Sequence, residues 1–241
     1  GTVLPEVKVK ADRIYSNEAM KFSALTKIDK KELQGSGAIQ VSDALALSPG
    51  VFIKNYGGLG GIKTISMRGT SSQQSLIMID GMRLNASQTG MIDLSTLPLA
   101  LINDIEIAKG GLSAVYGANA IGGVINLRTL AADKDDKVDA LLKYGSFNEI
   151  YSSLNTNYNI RGLGLSCIAE YTASDGDYPF EAEHFGETRT FRRTNGDFRN
   201  FNVSLAGVYE ADNWDIKSRI LFRTSERGTP GCDKERSKRR S

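Results

Sequence analysis

The stretch from residue 65 to residue 129 constrains the fold most, because short strand-like runs alternate in it with turns that contain glycine. Residues 63–67 and 75–80 have strand character and flank the polar segment 69–74, a pattern that predicts a hairpin. Residues 104–109 alternate apolar and charged side chains and predict a further strand. The stretch therefore predicts a small sheet with sharp turns between its strands.

The residues before this stretch predict two more strands and a helix. Residues 22–28 and 51–53 have strand character, and residues 39–47 carry an apolar stripe at helical spacing. The glycine-rich residues 55–64 lack the phosphate-loop pattern, because isoleucine and not glycine precedes Lys63. A nucleotide-hydrolysing enzyme is therefore not expected.

The periodicity changes after Thr129, where apolar and polar side chains begin to alternate with a period of two. The alternating segments are residues 138–147, 150–160, 163–173, 199–209 and 214–223. Such segments suit transmembrane barrel strands and, equally, the strands of a soluble antiparallel sheet. The short connections 159–162 and 210–213 alternate with the long polar connection 174–197, which is typical of a barrel.

Part of the first stretch resembles, in order and spacing, the plug domain of TonB-dependent outer-membrane receptors. The matching segments are residues 67–70 (Met-Arg-Gly-Thr), 76–81, 105–107 and 113–127. The resemblance extends over roughly residues 6–129 and departs from the family at Gly111, where proline is usual. It implies an α+β plug domain, a small mixed sheet with short helices, followed by antiparallel β-strands of an incomplete transmembrane β-barrel. A plug in front of the alternating segments favours barrel strands over a soluble sheet.

The resemblance divides the chain into four expected parts. They are a TonB-box-like segment at 1–12, the plug domain at 13–130, the first barrel strands at 131–230 and a basic tail at 231–241. The third part has room for about five strands, whereas plugged barrels have about 22, so these strands cannot close a barrel. We therefore expect an N-terminal fragment, natural or designed, whose open strand edges promote self-association. No signal peptide is recognised at Gly1, as expected of a mature or trimmed chain.

The family implies transport and not enzymatic chemistry. A receptor of this kind binds a scarce nutrient too large for porins, and TonB remodels the plug that gates the barrel. Residues 80–85 and 93–98 look most like those of cobalamin receptors, with siderophore and haem receptors as alternatives. The second function left open is a truncated periplasmic binding or interaction module that no longer transports. The implied location is the outer membrane of a Gram-negative cell, with the plug on the periplasmic side, and the implied partners are TonB, the nutrient, outer-membrane lipid and a surface lipoprotein.

The resemblance also implies three sets of site residues. Two plug loops are expected to contact the ligand through Asn55, Tyr56, Gly57, Gly58, Asn85, Ser87 and Gln88. An extended N-terminal segment is expected to pair with a strand of TonB through main-chain hydrogen bonds. Its alternation of apolar and polar residues also fits an ordinary edge strand. The segment consists of Glu6, Val7, Lys8, Val9, Lys10 and Ala11. Arg68, Arg83 and Glu106 lie in or beside apolar strands, where an unpaired charge is costly. We therefore expect these three residues to form a structural latch, in which they pair with one another or with charges on the barrel wall.

Charge and composition argue against other functions. The net charge is +2, but residues 231–241 alone hold five basic and two acidic side chains, so the rest of the chain is slightly acidic and no nucleic-acid partner is expected. His184 is the only histidine, which argues against a histidine metal site or a catalytic triad. No cofactor is expected. A calcium ion at Asp175, Asp177 and Glu181 is left open, against the alternative of a solvated acidic loop.

Overall fold

The computed structural model describes residues 24–84, 91–110, 112–132, 135–184, 187–193, 195–211 and 214–228. A mixed sheet occupies the N-terminal half of these residues and an antiparallel sheet the C-terminal half. None of the helices in these ranges has both the length and the apolar character needed to cross a bilayer.

The strands of the N-terminal half are short. They are β1 (Ala24–Ile28), β2 (Val51–Asn55), β3 (Lys63–Met67), β4 (Ser75–Ile79), β5 (Met82–Arg83), β6 (Ile102–Lys109) and β7 (Gly123–Thr129). The mixed sheet has the order β1-β6-β7-β4-β5, in which β4 and β7 run parallel and the other pairs antiparallel. Strands β2 and β3 form a separate antiparallel ribbon.

Short helices connect these strands. They are α1 (Lys30–Gly35), α2 (Val41–Ala46) and α3 (Ser113–Tyr116). Helix α1 begins with a capping box, because the Asp29 carboxylate accepts from the Glu32 N–H at 2.9 Å and the Glu32 carboxylate accepts from the Asp29 N–H at 3.0 Å. Local hydrogen bonds therefore stabilise a helix that is too short to be stable by itself.

The mixed sheet is apolar on both faces. Ile105, Ile107 and Leu127 pack on one face with Leu45 of α2, and all four side chains are fully buried. On the other face lies a smaller cluster, which is Leu76, Met78, Ala108, Leu112, Tyr116, Ala120 and Val124. The N-terminal half thus has its own hydrophobic core and does not need the second sheet to supply one.

The strands of the C-terminal half are longer. They are β8 (Lys137–Gly145), β9 (Glu149–Ile160), β10 (Leu163–Ser174), β11 (Pro179–His184), β12 (Glu187–Arg192), β13 (Phe198–Ala211) and β14 (Trp214–Arg227). The large sheet is antiparallel throughout, with the order β14-β13-β10-β9-β8, while β11 and β12 pair only with each other. This sheet does not close on itself, since β8 and β14 are its edges in the described residues.

On the large sheet the apolar face is exposed and the polar face is buried, which is the opposite of the arrangement in a water-soluble protein. Large apolar side chains of its outer face are exposed to the surroundings, among them Leu142, Leu154, Leu205, Ile220 and Phe222. Polar side chains of its inner face are buried, among them Asn155, Glu170, Thr172, Asn202 and Ser204. An apolar outer band around a polar inner face is typical of barrel strands in a bilayer. The architecture confirms the predicted fold class.

The prediction of a hairpin over residues 63–80 is wrong. Strand β3 pairs with β2 and not with β4, so residues 63–80 do not form a hairpin. Residues 69–74 instead contain a 3₁₀ turn at Ser72–Gln74, and β4 runs parallel to β7. The long connection 174–197 contains a further antiparallel hairpin, formed by β11 and β12.

Candidate functional site

The glycine-rich loop between β2 and β3 lies at the end of the large sheet from which the long connection extends. The Arg193 guanidinium, next to β12, donates to the Gly57 carbonyl at 3.2 Å and to the Tyr178 hydroxyl at 2.8 Å. Phe198 at the start of β13 is fully buried and packs directly on Gly60. The predicted ligand loop therefore lies against Arg193 and Phe198, at the two ends of the connection between β12 and β13.

Within this loop, Tyr56 has the most exposed large side chain, with 64% of its surface accessible. Its backbone N–H donates to the Ile62 carbonyl at 3.0 Å, which closes the base of the loop. The Asn55 side-chain oxygen accepts from the Gly57 N–H at 3.0 Å, so it is used within the turn. The ring of Tyr56 is thus held on a closed loop and presented outward.

Most glycines of this loop are explained by close packing inside the protein. A Cβ on Gly60 would lie 2.8 Å from Phe198 Cβ, and a Cβ on Gly61 would lie 2.4 Å from the Gly57 nitrogen. A Cβ on Gly57 would lie 2.9 Å from Arg193 Nη2. Gly58 differs, because its φ is 76° and nothing lies within 4 Å of a Cβ there. Of the two glycines expected to contact ligand, Gly57 lies against Arg193, whereas Gly58 has open surroundings.

An open cleft of about 460 Å³ lies beside the loop and is lined by Asn55, Gly58, Asp43, Lys63 and Glu149 among others. Lys63 is buried, and its ammonium donates to the Gln40 side-chain oxygen and lies 3.4 Å from the Asp43 carboxylate. Sequence reasoning missed this charged lining, because it assembles residues from α2, β3 and β9. The cleft offers polar and charged groups of both signs to a ligand.

Asp93 fixes the base of the same loop. Its Oδ1 accepts from the Lys63 N–H at 3.1 Å, from the Ser95 N–H at 3.0 Å and from the Ser95 hydroxyl at 2.7 Å. Its Oδ2 lies 2.9 Å from Arg227 Nη1. Burial alone would raise the pKa of Asp93, but the hydrogen bonds from Ser95, Lys63 and Arg227 outweigh it and lower the pKa below the ordinary 3.8. Asp93 is therefore a charged carboxylate at neutral pH.

The large sheet, which we call the wall, holds the N-terminal half at several points that sequence reasoning missed. Glu170 of β10 is 2% exposed, and its Oε2 accepts from the Ala100 N–H at 2.7 Å and from the Tyr151 hydroxyl at 3.2 Å. Its Oε1 accepts from Asn202 Nδ2 at 3.0 Å. On β8, the Lys143 ammonium donates to the Ala38 carbonyl at 2.8 Å. A charged residue on the polar side of an alternating strand was the available signal, but its partner could not be read from the sequence.

Two of the three predicted latch residues, Glu106 and Arg83, bond to groups outside the predicted set. The Glu106 carboxylate accepts from Arg128 Nη1 and from Asn126 Nδ2, each at 3.1 Å. Arg83 donates to the Tyr116 carbonyl. The Arg68 side chain is exposed at a turn with a φ of 53°. In the described residues these three do not pair with one another, and their role as a latch stays a prediction.

The remaining predicted sites are placed as follows. Asn85, Ser87 and Gln88, and the TonB-binding segment Glu6, Val7, Lys8, Val9, Lys10 and Ala11, lie outside the described residues. Asp175 accepts from Asn148 Nδ2 at 2.7 Å, and Asp177 accepts from Arg192 Nε at 2.8 Å. In the described parts of the chain no group of three or more His, Cys, Asp or Glu side chains is arranged to hold a metal ion, and calcium at Asp175, Asp177 and Glu181 stays a prediction.

Comparisons with known proteins agree with this architecture. Residues 19–124 match the family model described as TonB-dependent Receptor Plug Domain. The Vitamin B12 transporter BtuB of Vibrio vulnificus (strain YJ016) is 36% identical over 148 residues, which are 61% of this chain and 24% of that protein. The chain thus spans about a quarter of the length of this curated relative.

Two solved structures have a similar fold. The unliganded ferric citrate transporter FecA is 21% identical with a TM-score of 0.68, over 87% of this chain and 32% of that chain. The siderophore receptor PiuA from Acinetobacter baumannii is 21% identical with a TM-score of 0.61, over 84% of this chain and 27% of that chain. At these identities the likeness concerns the fold.

The Glu170 contact generates a prediction. Glu170→Ala leaves the Ala100 N–H, the Tyr151 hydroxyl and the Asn202 amide without their acceptor, and buried polar groups that lose a partner each cost about 1–3 kcal/mol. We expect faster hydrogen exchange at the Ala100 amide and a lower urea midpoint for the full chain in detergent. The matched control is Glu187→Ala, because Glu187 is exposed and pairs with Arg189 on the surface. Equal effects of the two substitutions would contradict the assigned contact.

Proposed function

We propose that this chain belongs to the TonB-dependent receptor family and acts in the uptake of cobalamin across the outer membrane. The family consists of transport receptors of the Gram-negative outer membrane and not of enzymes. Because the chain spans only part of the length of its relatives, the transport activity, the ligand and the partners of the whole protein are proposals.

One observation carries the proposal: the compact N-terminal half, which we now call the plug, lies against the polar inner face of a wall whose outer face is apolar. This arrangement supports a plug that blocks the lumen of a membrane barrel. Under the proposed division, residues 13–130 are the plug domain, residues 131–230 hold the first strands of the barrel, and residues 1–12 and 231–241 are the TonB-box-like segment and a basic tail.

Cobalamin is the proposed ligand because a vitamin B12 transporter is 36% identical to this chain over 148 residues, and because residues 80–85 and 93–98 look most like those of cobalamin receptors. The exposed ring of Tyr56 and the charged cleft beside Asn55 support contact with a large ligand that has an apolar surface and polar amide edges. The runner-up ligands are a siderophore and haem.

The plug is suited to regulated release. The polar contacts of Glu170 and Lys143 reach main-chain groups of the plug, at Ala100 and Ala38, while the plug core is made of its own apolar side chains. Such contacts can be exchanged for water without opening that core. A pull by TonB on residues 6–11, paired as an added strand, would then move the plug relative to the wall on the periplasmic side.

The ligand proposal is tested at Tyr56. Tyr56→Ala removes the exposed ring, and we expect the dissociation constant for cyanocobalamin, measured by equilibrium binding to outer membranes, to rise about tenfold. The control Tyr158→Ala removes an exposed tyrosine from the outer face of β9, away from the loop, and should leave the constant unchanged. Absence of saturable cyanocobalamin binding to the unaltered receptor would reject cobalamin as the ligand.

The TonB proposal is tested at Val9. Proline at this position cannot donate a main-chain hydrogen bond, so Val9→Pro should abolish TonB-dependent cobalamin uptake while the binding constant stays the same. Val9→Thr keeps the main-chain donor and the β-branched shape, and uptake should persist. Uptake that survives Val9→Pro would remove residues 6–11 from the proposed TonB contact.

A further inference from the structure

Three arginines of β14 contact the plug from one face of the strand, at intervals of four residues. Arg219 donates to the Leu130 carbonyl, and Arg223 Nη1 donates to the Thr96 carbonyl at 3.3 Å and to the Thr96 hydroxyl at 3.0 Å. Arg227 differs from the other two, because its partner is the Asp93 carboxylate at 2.9 Å. Arg227 also lies nearest to the long connection, since it pairs with Phe198 and is followed by Gly228, whose N–H donates to the Asp197 carbonyl at 2.8 Å.

Asp93 stands between a loop and a rigid part of the plug. On one side it accepts from the N–H of Lys63, the first residue of β3 and the residue that follows the ligand loop 56–62. On the other side it caps the 3₁₀ turn Leu94–Thr96, in which Leu94 is fully buried in the plug core. Because the Asp93 carboxylate bonds to both parts, a movement of Asp93 would also move Lys63 at the base of the loop.

Neither partner is fully exposed: the side chains of Arg227 and Asp93 are 31% and 25% accessible. Solvent and salt therefore weaken this pair less than a fully exposed pair. The guanidinium also occupies the oxygen of Asp93 that the plug does not use, since Oδ1 takes the three bonds from Lys63 and Ser95 and Oδ2 takes the bond from Arg227. Arg227 thus restricts the rotation of the carboxylate without competing for its bonds to the loop.

We propose that Arg227, acting through Asp93, is a positioning residue that holds the ligand loop 56–62 in its binding conformation. The wall thereby sets the shape of the plug surface that meets the ligand. A loop ordered in advance loses less conformational entropy when ligand binds, so the pair increases affinity without touching the ligand. By linkage, bound ligand strengthens the hold of the wall on Asp93 by the same factor. This inference rests on the proposed function for its ligand, but its structural step does not require cobalamin.

The first test measures hydrogen exchange of the full chain in detergent, without ligand. Arg227→Gln and Asp93→Asn should each speed exchange at the amides of residues 57–63 at least tenfold, while the amides of β6 and β7 keep their rates. The matched control is Arg223→Gln, which removes a plug contact from the same face of the same strand but does not involve Asp93. Arg227→Lys keeps the positive charge and should restore part of the protection. Unchanged exchange at 57–63 in Arg227→Gln, or the same increase in Arg223→Gln, would overturn the proposal.

The second test is a double-mutant cycle on the dissociation constant for cyanocobalamin in outer membranes. Arg227→Gln and Asp93→Asn should each raise the dissociation constant about three- to tenfold. The dissociation constant of the double variant should not exceed the larger of the two single-variant values, because both changes break the same connection. If the two increases multiply in the double variant, the proposal is overturned. If the unaltered receptor does not bind cyanocobalamin, the proposed ligand fails, and the exchange measurement alone decides the role of Arg227.

Discussion

The burial of polar side chains between the wall and the plug is the interaction on which the structure depends. Glu170 and Ser204 are each 3% exposed or less, and buried polar atoms are stable only with hydrogen-bond partners. Glu170 finds some of them in its own sheet, at Tyr151 and Asn202, and one in the plug main chain at Ala100. Once the polar face is turned inward, the alternation of a strand turns the apolar face outward. The outward face then requires a surrounding that is not water.

In the plug, the residues that keep the domain folded differ from the groups that contact the wall. Its core of buried aliphatic side chains keeps the mixed sheet folded, while contacts to the wall involve its main chain and a few polar side chains. The loop that carries Tyr56 is shaped from both sides, by Phe198 and Arg193 of the C-terminal half and by Asp93 of the plug. The candidate ligand surface is therefore a property of plug and wall together.

Periodicity predicted the wall well because each strand carries its own signal. Strands β9 and β10 were expected at 150–160 and 163–173, and they span Glu149–Ile160 and Leu163–Ser174. Pairing in the plug was harder, because β4 joins β7 across 43 intervening residues and no local pattern identifies such a partner. For the candidate functional residues too, the sequence does not identify partners that lie far away in the chain. Tyr56 was predicted from its loop, whereas the partners of Glu170 and Arg227 lie 70 and 134 positions away in the chain and required the fold.

If the outer face of the wall contacts lipid, the fluorescence of Trp214 reports that contact. Trp214 is the only tryptophan of the chain, it begins β14, and 72% of its surface is exposed on the apolar face. Tryptophan in this position of a membrane barrel lies at the bilayer interface. With the full chain in vesicles, brominated lipid should quench the Trp214 fluorescence strongly, and aqueous iodide should quench it weakly. Strong quenching by iodide together with no quenching by brominated lipid would contradict the account.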